Sequence, residues 1–316
     1  MTVQSGSVFS SGTIAIEVQG LWKRFGDKDV VQDVSLSVER GQVVGFVGPN
    51  GAGKTTTIRM LLDILKPDRG SVHILGNQLS AESQDRIGYL PEERGLYRGQ
   101  KVTDVLAYLG MLKGMTKEGA SARANDLLER LGMGEHAGKK ISEMSRGLGQ
   151  LIQFAATIIH RPSIIVLDEP FSGLDPINVR LMKDVITELR QDGVALLFST
   201  HQMEQVEELS DKVMMINRGR VVLDDRLADI KRRYRGDALK MVVDFMPEEL
   251  DGTGDVHRDG DVYEVRMLPG ATPEHVLRQL LDKGVAVERF EVATPRMEDI
   301  FLMLVGSGHE LGADHE

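Results

Sequence analysis

The sequence contains no cysteine. This absence excludes disulfides, iron–sulfur clusters and zinc sites built from thiolates. A chain without thiols fits a reducing compartment such as the cytosol, but the composition does not require one.

Long apolar runs are also missing. The most apolar stretch, GVALLFST at 193–200, is far shorter than the ~18 residues that suggest a membrane-spanning helix. The first residues, MTVQSGSVFSSGT, contain neither a basic segment nor a long apolar one, so we expect no signal peptide.

Positive charge is in deficit. The chain carries 38 Lys and Arg against 48 Asp and Glu, which gives a formal net charge of −10. This balance argues against a broad nucleic-acid surface, and we expect no nucleic-acid partner. A negative surface also has no general attraction to anionic lipid, so we expect any contact of this chain with a membrane to be made through a protein partner.

The order of apolar segments predicts the main domain. Residues 1–13 are rich in Ser and Gly, and we expect them to be disordered. In 14–232, apolar strands such as SIIVLDEP (163–170) alternate with amphipathic helices, which predicts a doubly wound α/β core. Apolar residues at helical spacing predict a helical subdomain at about 95–160 within it.

A second, smaller domain follows a charged linker, KRRYRGD at 231–237. Residues 237–306 predict a strand, an acidic loop at 251–261, a strand, a helix, a strand and a last helix. This order indicates a small α+β domain. The final residues, 307–316, are predicted to be a disordered tail.

A glycine-rich segment, GPNGAGKTT at 48–56, lies between the apolar strand Val43–Val47 and a helical run. This is the context of a P-loop, or Walker A motif, in which backbone N–H groups and a helix N-terminus surround phosphates. Lys54 should reach the β- and γ-phosphates of ATP, and Thr55 should bind Mg²⁺. The alternative is a glycine-rich turn with an accidental lysine. The predicted ATP contacts here are Gly48, Asn50, Gly51, Gly53, Lys54, Thr55 and Thr56.

Two carboxylates end the apolar strand in IIVLDEP, at the sheet edge where such folds bind ligands. Asp168 is predicted to hold Mg²⁺, and Glu169 to act as the general base for the attacking water. Two surface acids at a strand end are the alternative reading.

Five motifs in order, GPNGAGKTT, MSRGLGQ, IIVLDEP, SGLD and STH, resemble those of the ATP-binding subunits of ABC transporters. The resemblance covers residues 14–230 and implies the P-loop NTPase fold of that family. IGYLPEERGLY and LDEPFSGLDP are most similar to the multidrug and sodium efflux branch. PRMEDIF, at 295–301, is similar to the end of that branch's C-terminal accessory domain.

The resemblance implies further roles. Phe25 would stack on adenine, with a core phenylalanine as the alternative. Asp175 would lie in the loop that crosses between two ATP sites. His201 would contact the γ-phosphate, although a lone histidine at a strand end is more often structural.

The segment Met144–Leu148 departs from the family signature, which closes over ATP held by a second subunit. Ser145 supplies the hydroxyl and Gly147 allows close approach, while Arg146 replaces a glycine and Leu148 a glutamine. We interpret the segment as a drifted but competent signature. The alternative is a loop whose serine only caps the following helix.

Glu92 stands where the family usually has glutamine. A carboxylate is a better Mg²⁺ ligand than an amide, so we predict that Glu92 contributes to the metal site. A solvated glutamate is the alternative.

The resemblance implies an ATPase that drives export through a separate transmembrane permease, on the cytoplasmic face of the membrane. ATP would draw two copies into a head-to-tail homodimer, and Mg²⁺ would accompany the nucleotide. The alternatives are a soluble ABC-type ATPase without transport and a regulatory module without turnover. The presence of Asp168, Glu169 and His201 argues against the module.

Overall fold

The computed structural model of the chain describes residues 13–93, 95–234, 238–247 and 249–306. The chain divides into two compact units, Met1–Leu227 and Ala228–Glu316. The division falls shortly before the predicted linker. The two ends predicted to be disordered lie outside the described residues, except for Thr13.

The first unit is built on a six-stranded sheet. In spatial order its strands are β10 (Arg220–Arg226), β9 (Lys212–Asn217), β3 (Val43–Val47), β8 (Ala195–Thr200), β7 (Ile164–Asp168) and β6 (Ile87–Leu90). All neighbours pair in parallel except β10, which is antiparallel to β9. The carboxyl ends of β3, β6, β7 and β8 therefore meet at one edge of the sheet.

A second sheet of the same unit is antiparallel. Its order is β2 (Lys28–Glu39), β1 (Ile14–Phe25), β4 (Arg69–Ile74) and β5 (Asn77–Gln78). The two long strands near the start of the chain thus pair with each other and take no place in the parallel sheet.

Seven helices accompany these sheets in the described part of the first unit. They are α1 (Lys54–Leu61), α2 (Ala81–Gln84), α3 (Val102–Leu112), α4 (Lys117–Arg130), α5 (Arg146–Ile158), α6 (Pro176–Gln191) and α7 (Met203–Leu209). The helices α3, α4 and α5, with two short 3₁₀ turns between α4 and α5, lie inside the region predicted to be helical.

The parallel strands are buried on both faces, which explains their continuous apolar runs. Along β7, Ile165 and Leu167 pack with the helices α3 to α6, while Ile164 and Val166 face the opposite core with α1 and the antiparallel sheet. This alternation follows from the two-residue period of a strand. The central strands are therefore fixed from both sides, and so are the residues at their ends.

The helix α8 (Leu227–Arg233) starts at the last residue of the first unit, and the described part of the second unit contains one antiparallel sheet. The order is β12 (Thr253–Asp259), β13 (Val262–Met267), β11 (Ala238–Val243) and β14 (Val287–Val292), with α9 (Pro273–Asp282) and α10 (Met297–Gly306). Apolar residues of β11 and β13, such as Met241 and Val265, pack against α9 through Val276 and Leu280.

The prediction of a loop at 251–261 was wrong over most of its length. Residues Thr253–Asp259 form β12 and pair with β13, with His257 opposite Glu264. This strand lies at the edge of its sheet and is almost entirely exposed, so it has no apolar alternation that sequence analysis could detect.

Within residues 13–93, 95–234, 238–247 and 249–306, no helix combines the length and the apolar character that crossing a membrane requires.

Candidate functional site

The glycine-rich segment forms a loop between β3 and α1. Gly51 and Gly53 adopt positive φ angles of 76° and 110°, and α1 begins directly after Gly53. The Lys54 ammonium donates to the carbonyl oxygen of Gly48 at 2.7 Å and to that of Pro49 at 3.3 Å. The lysine therefore folds back across the loop that it follows.

Close packing requires a glycine at position 48. A Cβ atom there would overlap the backbone carbonyl oxygen of Ile216, which cannot move away as a flexible side chain could. At Gly51 a Cβ would meet nothing within 4 Å, and only the positive φ disfavours other residues. The loop thus needs its glycines for two different reasons.

A cavity of about 420 Å³ opens beside this loop at the carboxyl edge of the parallel strands. It brings together ten of the residues that the sequence analysis singled out, from four separate segments. Its lining consists of Val30, Asn50, Gly51, Gly53, Lys54, Thr55, Thr56, Glu92, Asp168, Glu169, Ser172 and His201. Val30 and Ser172 were not predicted.

The cavity places one buried cation among three carboxylates. Burial lowers the pKa of Lys54, and the negative charges of Glu169, Asp168 and Glu92 oppose that shift. Glu92 itself is exposed, yet it lines the cavity. The Lys54 ammonium can attract a polyphosphate that enters the cavity. A metal cation bound with the polyphosphate would offset the negative charge of the three carboxylates.

Asp168 is buried at the end of β7. Its Oδ1 accepts a hydrogen bond from the Ser199 hydroxyl at 2.5 Å, whereas its Oδ2 is buried without a partner among the described residues. An orphaned carboxylate oxygen beside Thr55 and Lys54 fits a site for Mg²⁺ and its waters, because Mg²⁺ takes one or two carboxylates in addition to phosphates.

Glu169 follows in a left-handed backbone conformation with φ of 50°, which is rare for a residue other than glycine. Its Oε1 lies 3.0 Å from Nδ1 of His201. Strained backbone of this kind is concentrated at functional sites.

Phe25 lies outside the cavity lining. Its side chain is 50% exposed at the end of β1, which contradicts the alternative of a core phenylalanine. The Lys23 ammonium lies 5.7 Å from the centre of its ring. The ring is therefore accessible from outside, although the Lys23 ammonium lies over one of its faces.

The predicted signature residues also stay outside this cavity. The Ser145 hydroxyl accepts from the backbone N–H of Leu148 at 3.2 Å and caps α5, as the simpler reading predicted. Within the described residues, Arg146 is exposed and its side chain makes no hydrogen bond or ion pair. A Cβ added to Gly147 would meet its nearest neighbour, the Gly173 carbonyl oxygen, at an ordinary 3.6 Å.

Asp175 caps the neighbouring helix. Its Oδ1 accepts from the Asn178 backbone N–H at 3.0 Å, and its Oδ2 accepts from the Asn178 side chain at 2.6 Å. The beginnings of α5 and α6 are thus close together, because Gly147 lies near both Gly173 and Asn178.

A larger cavity, of about 520 Å³, lies apart from the phosphate loop. Its walls come from the end of α1, from β6 and the segment after it, and from α3 and α5. Apolar side chains such as Ile64, Leu96 and Leu112 line it, and His160 and Lys113 supply polar groups.

Sequence profiles of two families match the chain. The family described as "ABC transporter" matches residues 31–172, and the one described as "ATP-binding protein DrrA1-3-like, C-terminal domain" matches residues 226–305. The two matches fall mainly on the first and second units respectively.

Curated proteins are similar over nearly the whole chain. The "Uncharacterized ABC transporter ATP-binding protein YhaQ" of Bacillus subtilis is 37% identical over 301 residues, covering 93% of this chain and 100% of that protein. "Daunorubicin resistance ATP-binding protein DrrA3" of Streptomyces coeruleorubidus is 30% identical over 303 residues, covering 92% and 96%. A solved structure titled "Structure of ATP binding subunit of ABC transporter" is 28% identical with a TM-score of 0.65, covering 70% of this chain and 93% of that one.

Proposed function

This chain belongs to the ATP-binding proteins of ABC transporters, and on that premise we propose that it drives export through a separate membrane subunit by ATP-dependent head-to-tail dimerisation. Members of this family bind ATP and hydrolyse it to ADP and phosphate, and transporter ATPase subunits work with separate membrane components. The single observation that carries the proposal is the cavity in which Lys54, Asp168, Glu169 and His201 meet.

The phosphate loop and Lys54 bind the triphosphate. Lys54 exchanges its bonds to loop carbonyls for phosphate oxygens, which is favourable because its charge is largely buried. Phe25, exposed at the end of β1, stacks on the adenine ring. Gly48, Asn50, Gly51, Gly53, Thr55 and Thr56 shape the loop and its contacts.

Mg²⁺, when bound, neutralises charge on the β- and γ-phosphates and orients them for attack. Thr55 and Asp168 would hold it, with Glu92 across the cavity as a further oxygen donor. The partnerless Oδ2 of Asp168 supports this assignment.

Glu169 acts as general base. It accepts a proton from the attacking water, whose oxygen forms a new bond to the γ-phosphorus as the bond to the ADP oxygen breaks. His201 holds the Glu169 carboxylate through Nδ1 and leaves Nε2 to face a phosphate oxygen.

Ser145, Arg146 and Gly147 complete the ATP site of a second copy. Ser145 and Arg146 are exposed, and Arg146 has no partner within the described part of its own chain, which supports this role. Helix α5 adds positive potential at its N-terminus, and Arg146 adds a full positive charge. Asp175, at the start of α6, lies in the loop that would connect the two ATP sites.

The larger cavity supports the coupling to a membrane subunit. Its walls join the segment after Glu92, through Gly95 and Leu96, to the helices α3 and α5. A segment of the membrane subunit that binds in this cavity would contact the chain next to Glu92 and would move when Glu92 moves. The same contact would hold the chain at the cytoplasmic face of the membrane. Similarity to daunorubicin and doxorubicin resistance proteins supports export as the direction of transport.

The test compares wild type with Glu169→Gln by gel filtration, with and without Mg-ATP, while phosphate release is measured in parallel. The proposal expects hydrolysis by the wild type and a stable ATP-bound dimer of the variant. ATP binding without a dimer or turnover, both alone and with the co-expressed membrane protein, would overturn it.

A further inference from the structure

Ser199 is a fully buried residue that lies opposite Asp168 in the parallel pairing of β8 with β7. Its hydroxyl donates to Asp168 Oδ1 at 2.5 Å and accepts from the Glu169 backbone N–H at 3.1 Å. Both directions are fixed, because an ionised carboxylate only accepts and an N–H only donates. One hydroxyl therefore joins the carboxylate assigned to the metal and the backbone of the general base.

The hydroxyl and the backbone carbonyl oxygen of Ser199 both accept from the backbone N–H of Glu169. The Glu169 N–H also donates to the Ser199 carbonyl oxygen, at 3.2 Å. This shared hydrogen bond acts on a residue whose φ of 50° is disfavoured for any side chain. Such a conformation persists only where the surrounding structure holds it.

The hydrogen bond from the Ser199 hydroxyl occupies one oxygen of Asp168 and leaves the other free to bind a metal ion. Oδ1 is taken by Ser199, and Oδ2 stays buried without a partner in the described part of the chain. Without the hydroxyl, the Asp168 carboxylate would lose the one side-chain hydrogen bond that it makes within the described residues, and with it the contact that favours a single rotamer.

We propose that Ser199 is a positioning residue of ATP hydrolysis, which orients Asp168 toward the metal and Glu169 toward the attacking water. The inference rests on the proposed function of this site. Because Ser199 does not line the cavity, its removal should leave ATP affinity close to that of the wild type. Turnover should fall about tenfold, since a small misplacement of catalytic groups lowers the rate strongly.

The experiment uses the full chain with three variants. Ser199→Ala removes the hydroxyl, and Ser199→Thr restores it. Ser210→Ala is the matched control, because Ser210 is also buried and its hydroxyl has no partner among the described residues. The measurements are kcat and KM for ATP, the thermal unfolding midpoint, and Mn²⁺ binding by electron paramagnetic resonance with a non-hydrolysable ATP analogue.

We expect Ser199→Ala to lower kcat about tenfold with KM little changed, and to weaken Mn²⁺ binding several-fold. Ser199→Thr should recover both, and Ser210→Ala should change neither. The extra methyl group of threonine could lower the unfolding midpoint of Ser199→Thr. In that case the comparison of Ser199→Ala with Ser210→Ala tests whether the Ser199 hydroxyl is needed for kcat and Mn²⁺ binding.

Unchanged kcat and Mn²⁺ affinity in Ser199→Ala would overturn the inference, and so would equal losses in Ser210→Ala. A kcat loss without weaker Mn²⁺ binding would also overturn it, because the metal ligand would then be unaffected. If the wild type itself hydrolyses no ATP, alone or with its membrane partner, the proposed function fails. The Mn²⁺ measurement, which needs no turnover, still tests Ser199 in that case.

Discussion

Nδ1 of His201 lies 3.0 Å from Oε1 of Glu169, although the two residues follow different strands. Glu169 comes directly after β7 and His201 directly after β8, and these strands are parallel neighbours. The contact is a consequence of sheet register, which brings both side chains to the carboxyl edge. The proposed general base and the histidine are therefore in direct contact.

The first prediction is that Glu169 and His201 act non-additively. Glu169→Gln should lower kcat by about 10²-fold or more, the range of a lost general base. His201→Ala should lower it by a similar factor, because it removes both the orientation of Glu169 and a phosphate contact. The double variant should be no slower than Glu169→Gln alone. The measurement is steady-state phosphate release, and a multiplicative loss in the double variant would show that the residues act independently.

The second prediction concerns Glu92. Because its carboxylate lines the cavity with Thr55 and Asp168, Glu92→Gln should raise the Mg²⁺ concentration needed for half-maximal activity more than it raises KM for ATP. The adjacent Glu93 is also exposed but does not line the cavity, so Glu93→Gln is the matched control. Identical Mg²⁺ titrations of wild type and Glu92→Gln would leave Glu92 as a solvated side chain.

The third prediction separates what Gly147 does for folding from what it does for function. An alanine Cβ there fits the chain's own structure, and glycine within a helix costs about 0.5–1 kcal/mol relative to alanine. Gly147→Ala should therefore keep or raise the unfolding midpoint. It should nevertheless weaken ATP-dependent dimerisation, because the close approach of a second chain's nucleotide is lost.

The control for this prediction lies two residues further along α5. A Cβ at Gly149 would meet nothing within 4 Å, so Gly149→Ala should stabilise the helix equally. Dimerisation is measured by gel filtration in the Glu169→Gln background with ATP. If Gly147→Ala dimerises as the Glu169→Gln background does, Gly147 is not a close contact of the proposed interface.

Sequence reasoning predicted ten of the twelve residues that line the cavity, although they come from four separate segments of the chain. Lys54 and Asp168 each end or follow an apolar strand, and the parallel sheet brings such strand ends together. Ser199 belongs to the STH motif but was given no role of its own, because its contacts depend on the register between β7 and β8, which no local pattern encodes. Val30 enters the cavity from the antiparallel sheet, whose separation from the parallel one was not predicted.

Two elements of the structure, the end of α1 and the strand β6, could not be predicted from the periodicity of apolar residues. The helix α1 ends at Leu61, although the apolar residues that would extend it, Leu62 and Leu65, continue to near Pro67. Asp63 adopts a left-handed conformation with φ of 59° shortly after that end, which a helix cannot contain. Strand β6 was not predicted, because four residues give too short a pattern to distinguish a strand from a loop.

The fourth prediction is a pH dependence of stability that originates at His160, in the wall of the larger cavity. Burial lowers the pKa of His160, and the positive charge of Lys113 lowers it further. The Ile87 carbonyl and Asp85 act in the opposite direction. Nε2 lies 3.3 Å from the Ile87 carbonyl oxygen, while Nδ1 is buried without a partner among the described residues.

The folded state therefore binds a proton at His160 less readily than the unfolded state does. By linkage, the stability from this group is fully present above the unfolded pKa of 6.5 and is lost as the pH falls below it. In His160→Gln the difference between the unfolding midpoints at pH 7.5 and pH 5.5 should be smaller than in the wild type. The midpoint at pH 7.5 serves as the internal reference, because His160 is neutral in both states at that pH. Equal differences in the two proteins would mean that the acid sensitivity of the fold originates elsewhere.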